Sequence, residues 1–381
     1  DFHPLALAMP IIIFAFFFMH QKRYKLFLLS CFLLIITKEE MSLIVLMFGF
    51  YLFFRQKERL LGIILSIFSI IYFFTIVEIV MPYFNAGSQP VLISSRYSYL
   101  GDGLVGIAKN TIANPIIFVR QIFNKTSFIY LLLLVSPLAA LPLLKPDIFL
   151  MSLPTVVINL LSKNRMMQYP FQFYHFAPIL SFIFLSSIMA LAKIKPEKGV
   201  INFEILVKAT LYSSLVFSLL FSPAPYSAYA KLNDFTVSKH AQKIDDIVNL
   251  VPKEAPLSVQ NNLGPHFSQR KYIYTYPFGI DKSDYVVLDV FDPYPNTTFF
   301  PRHHSFIFAS GITPEVYLAQ TQNLFDSSDF GILFFSRDGY LVLKRGHSKK
   351  LNDAARAMFE KRMETIITKL ESHPEYDKIQ L

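Results

Sequence analysis

The sequence predicts a multi-pass α-helical membrane bundle that carries a small soluble α/β domain after its last span. Three observations predict it. The chain is 53% hydrophobic, with a mean hydropathy of +0.41 and only 17% charged residues, whereas an ordinary soluble domain is about 25% charged. Its apolar residues collect into runs divided by short basic clusters up to about Phe221, and from Ser222 onward the chain is an ordinary mixture of polar and apolar residues. Charge divides at the same place: residues 1–222 hold 18 Lys+Arg and 9 Asp+Glu, while residues 223–381 hold 18 of each. The net charge of +9 therefore belongs to the membrane half, where topology accounts for it and no nucleic-acid partner is called for.

Eight apolar runs follow one another, at about 5–19, 26–37, 41–54, 60–81, 127–144, 147–161, 175–192 and 203–222. A straight crossing takes about 20 residues, which the fourth, fifth, seventh and eighth runs reach or approach. The second and third are shorter and share the polar break Lys38-Glu39-Glu40, so they read either as two short helices meeting at one face or as one broken helix. Pro137, Pro142, Pro154 and Pro178 fall inside runs and predict kinks whose freed carbonyls find partners within the bundle.

Basic residues orient the bundle. Loops 20–25, 55–59, 145–146 and 193–202 carry ten Lys/Arg in 23 residues (Lys22, Arg23, Lys25, Arg55, Lys57, Arg59, Lys145, Lys193, Lys195 and Lys198). The alternate loops before residue 223 carry seven in 65. Placing the first set in the cytoplasm puts Asp1–Pro4, Lys38–Glu40, loop 82–126, loop 162–174 and the soluble part on the outer side of a cell membrane. The single cysteine, Cys31, lies inside an apolar run and says nothing about redox compartment. The chain opens on Asp1, directly before a span and without a basic leader, and reads as lacking its natural N-terminus.

The expected organisation is a bundle over 1–222, an outer α/β domain over 223–348 and a charged helical tail over 349–381 that lies on the surface. Within the domain, an amphipathic helix is expected at 236–251 and another at 313–325. Strands are expected at 257–260, 272–276, 285–290, 331–335 and 340–343, with a hairpin turn at Arg337-Asp338-Gly339-Tyr340. The domain has no glycine-rich phosphate loop, zinc-ligand spacing or nucleophile elbow. His303-His304 with Asp289 and Asp292 admits a metal site, although a solvated histidine pair with two turn-forming aspartates is the commoner arrangement.

Ionisable groups near membrane depth are costly and so tend to be functional. Glu39 and Glu40 together can take a proton from an acceptor hydroxyl or hold a divalent cation, and Lys38 beside them can pair with a phosphate. The competing reading is an interfacial turn in which Glu40 caps the following helix. Arg96, in Ser95-Arg96-Tyr97-Ser98-Tyr99-Leu100-Gly101-Asp102-Gly103, suits bidentate phosphate binding, with its tyrosines packing on sugar or isoprenoid. It suits equally a loop held by hydrogen bonds. His175, after Gln172-Phe173-Tyr174, suits a hydrogen-bond donor to a phosphate or an acid/base group, though a lone interfacial histidine is more often structural. Asp1, His3, Asp102 and Glu78 form a second rank.

An ordered series of motifs carries a family resemblance. It comprises Asp1-Phe2-His3-Pro4, Thr37-Lys38-Glu39-Glu40, Gly49-Phe50-Tyr51-Leu52, Met81-Pro82-Tyr83-Phe84, Arg96-Tyr97-Ser98-Tyr99-Leu100-Gly101, Tyr174-His175-Phe176-Ala177-Pro178 and Asp284-Tyr285-Val286-Val287-Leu288-Asp289. From residue 1 to about Gly346 the chain resembles the bacterial and archaeal membrane proteins grouped as domain of unknown function 2079. That family in turn looks like a distant relative of the C-type glycosyltransferases. The resemblance implies transfer of a sugar from a polyprenyl-phosphate donor on the outer face, with an acidic base and basic phosphate contacts. It also implies further spans and an acidic early loop ahead of residue 1.

The expected function is thus a membrane glycosyltransferase, with Glu39 and Glu40 as base or metal ligands and Lys38, Arg96 and His175 holding the donor phosphate. A transporter or flippase of lipid-linked material would instead spread its charges across the bilayer midplane. A scaffold would show an exposed apolar patch on its outer domain.

Overall fold

The computed structural model describes residues 3–84, 96–163, 165–169, 174–194, 203–222, 224–228, 236–290 and 314–371. The chain divides into two units, Asp1–Lys231 and Leu232–Leu381.

Each apolar run of the first unit is helical. The helices are α1 (Leu5–His20), α2 (Tyr24–Ile35), α3 (Met41–Gln56), α4 (Arg59–Phe84), α5 (Gly103–Ala113), α6 (Pro115–Ile122), α7 (Lys125–Val135), α8 (Pro146–Leu161), α9 (Tyr174–Lys193) and α10 (Phe203–Phe221). Among the described residues, by length and composition only α4, α9 and α10 can cross a membrane, or four spans if α6 and α7, bent by 52°, act as one. Helices α1, α2, α3 and α8 are apolar but shorter. The expectation of about eight membrane segments thus becomes three or four candidate spans and four shorter apolar helices among the described residues.

Helices α4 and α10 bury little of their surface in protein. No residue of α10 is buried, and α4 exposes Ile63, Ile64, Ile67, Phe68, Ile70, Ile71 and Phe74. An apolar face of that size is stable only against lipid. Inside the bundle, Phe16, Met19, Phe27, Leu34, Phe48, Leu65 and Phe182 join α1, α2, α3, α4 and α9 in one core. Polar side chains within it bond their own helices, as lipid burial demands: Ser66 donates to the Gly62 carbonyl, Ser69 to Leu65 and Ser187 to Ile183.

The kink expected from Pro137 and Pro142 is a full break. After α7 the chain makes two 3-10 turns, Ser136–Leu138 and Leu141–Leu144, joined through Ala139 and Ala140 at positive φ. Ser213 and Ser214 of α10 donate to the Ser136 and Pro137 carbonyls at this break.

The second unit is a five-stranded sheet of order β2-β1-β3-β5-β4, with β1 (Leu257–Val259), β2 (Ile273–Thr275), β3 (Tyr285–Asp289), β4 (Phe330–Phe335) and β5 (Tyr340–Arg345). Strand β1 runs parallel to β2 and β3, while β5 is antiparallel to β3 and β4. Side chains alternate between two cores. Tyr285, Val287, Tyr340 and Val342 face α11 (Ile244–Asn249). Val286, Leu288, Leu341 and Leu343 face α12 (Pro314–Asp326) and α13 (Asn352–Glu371). The amphipathic helix expected over 236–251 is reduced to a 3-10 turn and α11. The tail differs more: Ala355, Phe359, Met363 and Ile366 of α13 lie in the core, so it is an integral layer and not a surface appendage.

Candidate functional site

The break between α2 and α3 is short and locally sealed. Thr37 Oγ1 donates to the Leu34 carbonyl at 2.7 Å, and Ser42 Oγ to that of Glu39 at 2.7 Å. This leaves Lys38, Glu39 and Glu40 side by side at one end of the bundle. Lys38 Nζ pairs with Glu40 Oε2 at 3.0 Å, and Glu40 is buried. Glu39 is half-buried. Burial raises the pKa of its carboxyl, with Glu40 adding to the rise and Lys38 opposing it.

Other candidates arrive from distant parts of the sequence. His3 stacks on Tyr174 with ring centroids 3.7 Å apart, and Tyr174 packs against His175 at 4.3 Å. His175 is buried, and the charges of Lys38, Arg96 and His3 all reach it. The Glu40 carboxylate likewise acts on Tyr97, whose phenol pKa is pushed up first by burial and then by that charge. Arg96 makes no ion pair among the described residues. One end of the first unit thus gathers His3, Lys38, Glu39, Glu40, Arg96 and His175, which four separate sequence segments supply.

The opposite end holds another set of charges. Arg55 meets Asp147 at 2.7 Å, Lys145 lies 3.8 Å from the same oxygen, and Tyr24 donates to Glu58 at 3.0 Å. Tyr51 and His20 approach at 3.4 Å. Helix α1 begins beside His3 and ends at His20, so about 24 Å of helix separates the two clusters.

Several sequence candidates have other roles. Glu78 accepts the Leu104 backbone N–H at 2.6 Å, placing a carboxylate at the positive end of α5. Asp102, the residue before that helix, is exposed and makes no capping bond. Tyr97 and Tyr99 donate their hydroxyls to the carbonyls of Ile158 and Leu161 at 3.1 and 2.7 Å. With Gln121 on Leu160 and Gln168 on Asn159 and Leu160, they satisfy the carbonyls left open where α8 ends. Asp1, Asp292, His303 and His304 lie outside the described residues.

Sequence reasoning missed a polar layer just inside this end. Asn159 of α8 is buried and donates through Nδ2 to Tyr130 Oη at 3.0 Å and to the His175 carbonyl at 3.4 Å. Its only sequence signal is the spacing Thr155-x3-Asn159, which puts two polar groups on one helix face. In the second unit, His240 bridges Asp289 (3.1 Å) and Asp338 (3.0 Å) and stacks on Tyr340 at 4.1 Å, so Asp289 serves this bridge.

Among the described residues, no group of three or more His, Cys, Asp or Glu side chains is arranged to hold a metal ion. Glu39 and Glu40 offer two carboxylates, one already paired with Lys38. A divalent cation there would need most of its oxygen ligands from elsewhere.

The family model described as "predicted membrane protein (DUF2079)" matches residues 1–306. No curated protein and no solved structure matches the chain.

Proposed function

The chain belongs to the DUF2079 family of predicted membrane proteins, and on that premise we propose that it is a membrane glycosyltransferase using a polyprenyl-phosphate sugar as donor. The single observation that carries this reading is the gathering of His3, Lys38, Glu39, Glu40, Arg96 and His175 at one end of an apolar bundle. Lipid-phosphate chemistry needs such a combination, with cations and a base at the edge of the hydrocarbon where the isoprenoid chain remains in lipid.

The two carboxylates divide the work. Glu40 is buried against Lys38 and holds that ammonium in place. Glu39 makes no ion pair among the described residues, and its raised pKa suits a general base. In the step, Glu39 takes the proton of an acceptor hydroxyl as that oxygen attacks the anomeric carbon. The anomeric C–O bond to the donor phosphate breaks, and its electron pair leaves with the lipid phosphate. Lys38 and Arg96 neutralise the departing phosphate, and His175 contacts it. The reading places this end, and the domain that follows α10, on the extracytoplasmic side because the Lys/Arg-rich loops are at the other end.

A transporter would carry charges along the interior of the bundle. Those of the first unit that meet one another lie at its ends, which favours the enzyme. The test is binding of polyprenyl phosphate to the full chain in lipid nanodiscs. Lys38→Gln and Arg96→Gln are each expected to weaken it about tenfold or more, the scale of one charge-assisted hydrogen bond. Unchanged binding in both variants would remove the phosphate role.

A further inference from the structure

Buried hydroxyls and amides in this bundle normally have partners, and three groups beside the cluster break that pattern. Among the described residues, Thr155 Oγ1, Asn159 Oδ1 and His175 Nδ1 are all buried without a hydrogen-bond partner. Serine hydroxyls at comparable depth bond back to their own helix: Ser66, Ser69 and Ser187 reach the carbonyl four residues earlier. Thr155 does not. The orientation of the Asn159 amide is fixed by chemistry, because a carbonyl only accepts and the group facing the His175 carbonyl must be the NH2. Its oxygen is therefore the orphan. A buried polar atom left unpaired is costly enough that each one calls for an explanation.

The three orphans share one place. Thr155 and Asn159 lie one turn apart on the same face of α8, and Asn159 touches the backbone of His175. Together they make a short polar shelf running inward from the cationic end of the bundle. Their chemistry is that of a neutral, hydroxyl-rich ligand: an amide oxygen that accepts, a threonine hydroxyl that does both, and a ring nitrogen. The shelf contains no carboxylate or ammonium of its own. We propose that Thr155 and Asn159, beside His175, form the subsite that receives the hydroxyl groups of the donor's sugar, next to the groups that hold its phosphate. This inference rests on the glycosyltransferase reading above and adds a sugar-recognition site to it.

The experiment compares two probes on the full chain in nanodiscs: polyprenyl phosphate, and polyprenyl-phosphate hexose. Thr155→Val is the informative variant, because the hydroxyl it removes makes no bond among the described residues and the side chain keeps its shape. Asn159→Leu is the stronger second variant, with thermal unfolding checked because it also removes the bonds to Tyr130 and His175. The wild type is expected to bind the hexose lipid more tightly than the bare phosphate. Thr155→Val should cut that advantage about tenfold, the effect of one unpaired buried group, and leave binding of the bare phosphate unchanged. Equal binding of both probes by the wild type would mean that the shelf holds water only, and would overturn this subsite while leaving the phosphate reading intact. So would an advantage that survives in both variants. Binding of neither probe would overturn the donor reading and this inference together.

Discussion

Ala139 and Ala140 hold φ angles of 49° and 59° at the break that follows α7, a conformation that costs an L-residue about 1–2 kcal/mol. Ala139→Gly is therefore expected to leave the full chain in detergent as stable as the wild type or slightly more so, and Ala139→Val to lower its melting midpoint. Equal midpoints for the valine and glycine variants would contradict the strained turn. His240 is tuned differently. Burial alone would pull its pKa down, but its bonds to Asp289 and Asp338 outweigh that and hold it above the ordinary value. Asp338 is buried enough to be pushed up, yet bonds from Ser336, Lys243 and His240 hold it well below the usual carboxylate range. The signs are opposite. The raised His240 contributes stability fully below about pH 6.5 and loses it as pH rises through its folded pKa. The depressed Asp338 contributes above about pH 4 and loses it as pH falls through its own folded pKa. Hydrogen exchange of the β3 and β5 amides in the intact chain, corrected for intrinsic rates, should thus show protection falling as pH rises above neutral. A His240→Gln variant should flatten that slope, and a wild-type profile already flat would refute the bridge.

At the scale of elements, the clearest packing constraint is between α3 and α4. A Cβ built on Gly62 would lie 2.7 Å from the Gly49 carbonyl oxygen and 2.9 Å from the Phe53 nitrogen, so the two backbones approach as closely as only glycine allows. Gly62→Val is expected to destabilise the bundle by about 1–3 kcal/mol or more, read as a lowered melting midpoint. An unchanged midpoint would show that the helices do not meet there. In the second unit, Phe359→Ala should cost about 3–5 kcal/mol, because Phe359 sits fully buried between α12 and the sheet. A surface tail would lose almost nothing. Sequence pattern made the helices legible because each apolar run is long and bounded by charge or proline. It made the strands legible through alternation and the Asp338-Gly339 turn. It misjudged α13 because eight of its 20 residues are charged, while the four residues that bury it recur every three or four positions. It left open whether the Arg96 segment serves a ligand or is a loop held by hydrogen bonds, since a helix end that needs capping is visible only once α8 and the loop before α5 are seen together.

For the molecule as a whole, the candidate site was legible in its charged members and illegible in its neutral ones. Lys38, Glu39, Glu40, Arg96 and His175 stand out because charge is rare near membrane depth. Their meeting at one end of the bundle depends on how α2, α3 and α9 pack, which no local pattern specifies. Thr155 and Asn159 carry no charge and sit inside an apolar helix, so only their orphaned atoms single them out. The account's central claim is that this end of the bundle transfers a sugar with Glu39 as base. The most direct measurement is sugar transfer from a polyprenyl-phosphate donor by the full chain in vesicles, comparing wild type with Glu39→Gln while donor binding is followed in parallel. Transfer is expected to fall by about 10²–10⁴-fold while donor affinity stays near wild type; transfer at the wild-type rate in Glu39→Gln would rule out Glu39 as the base.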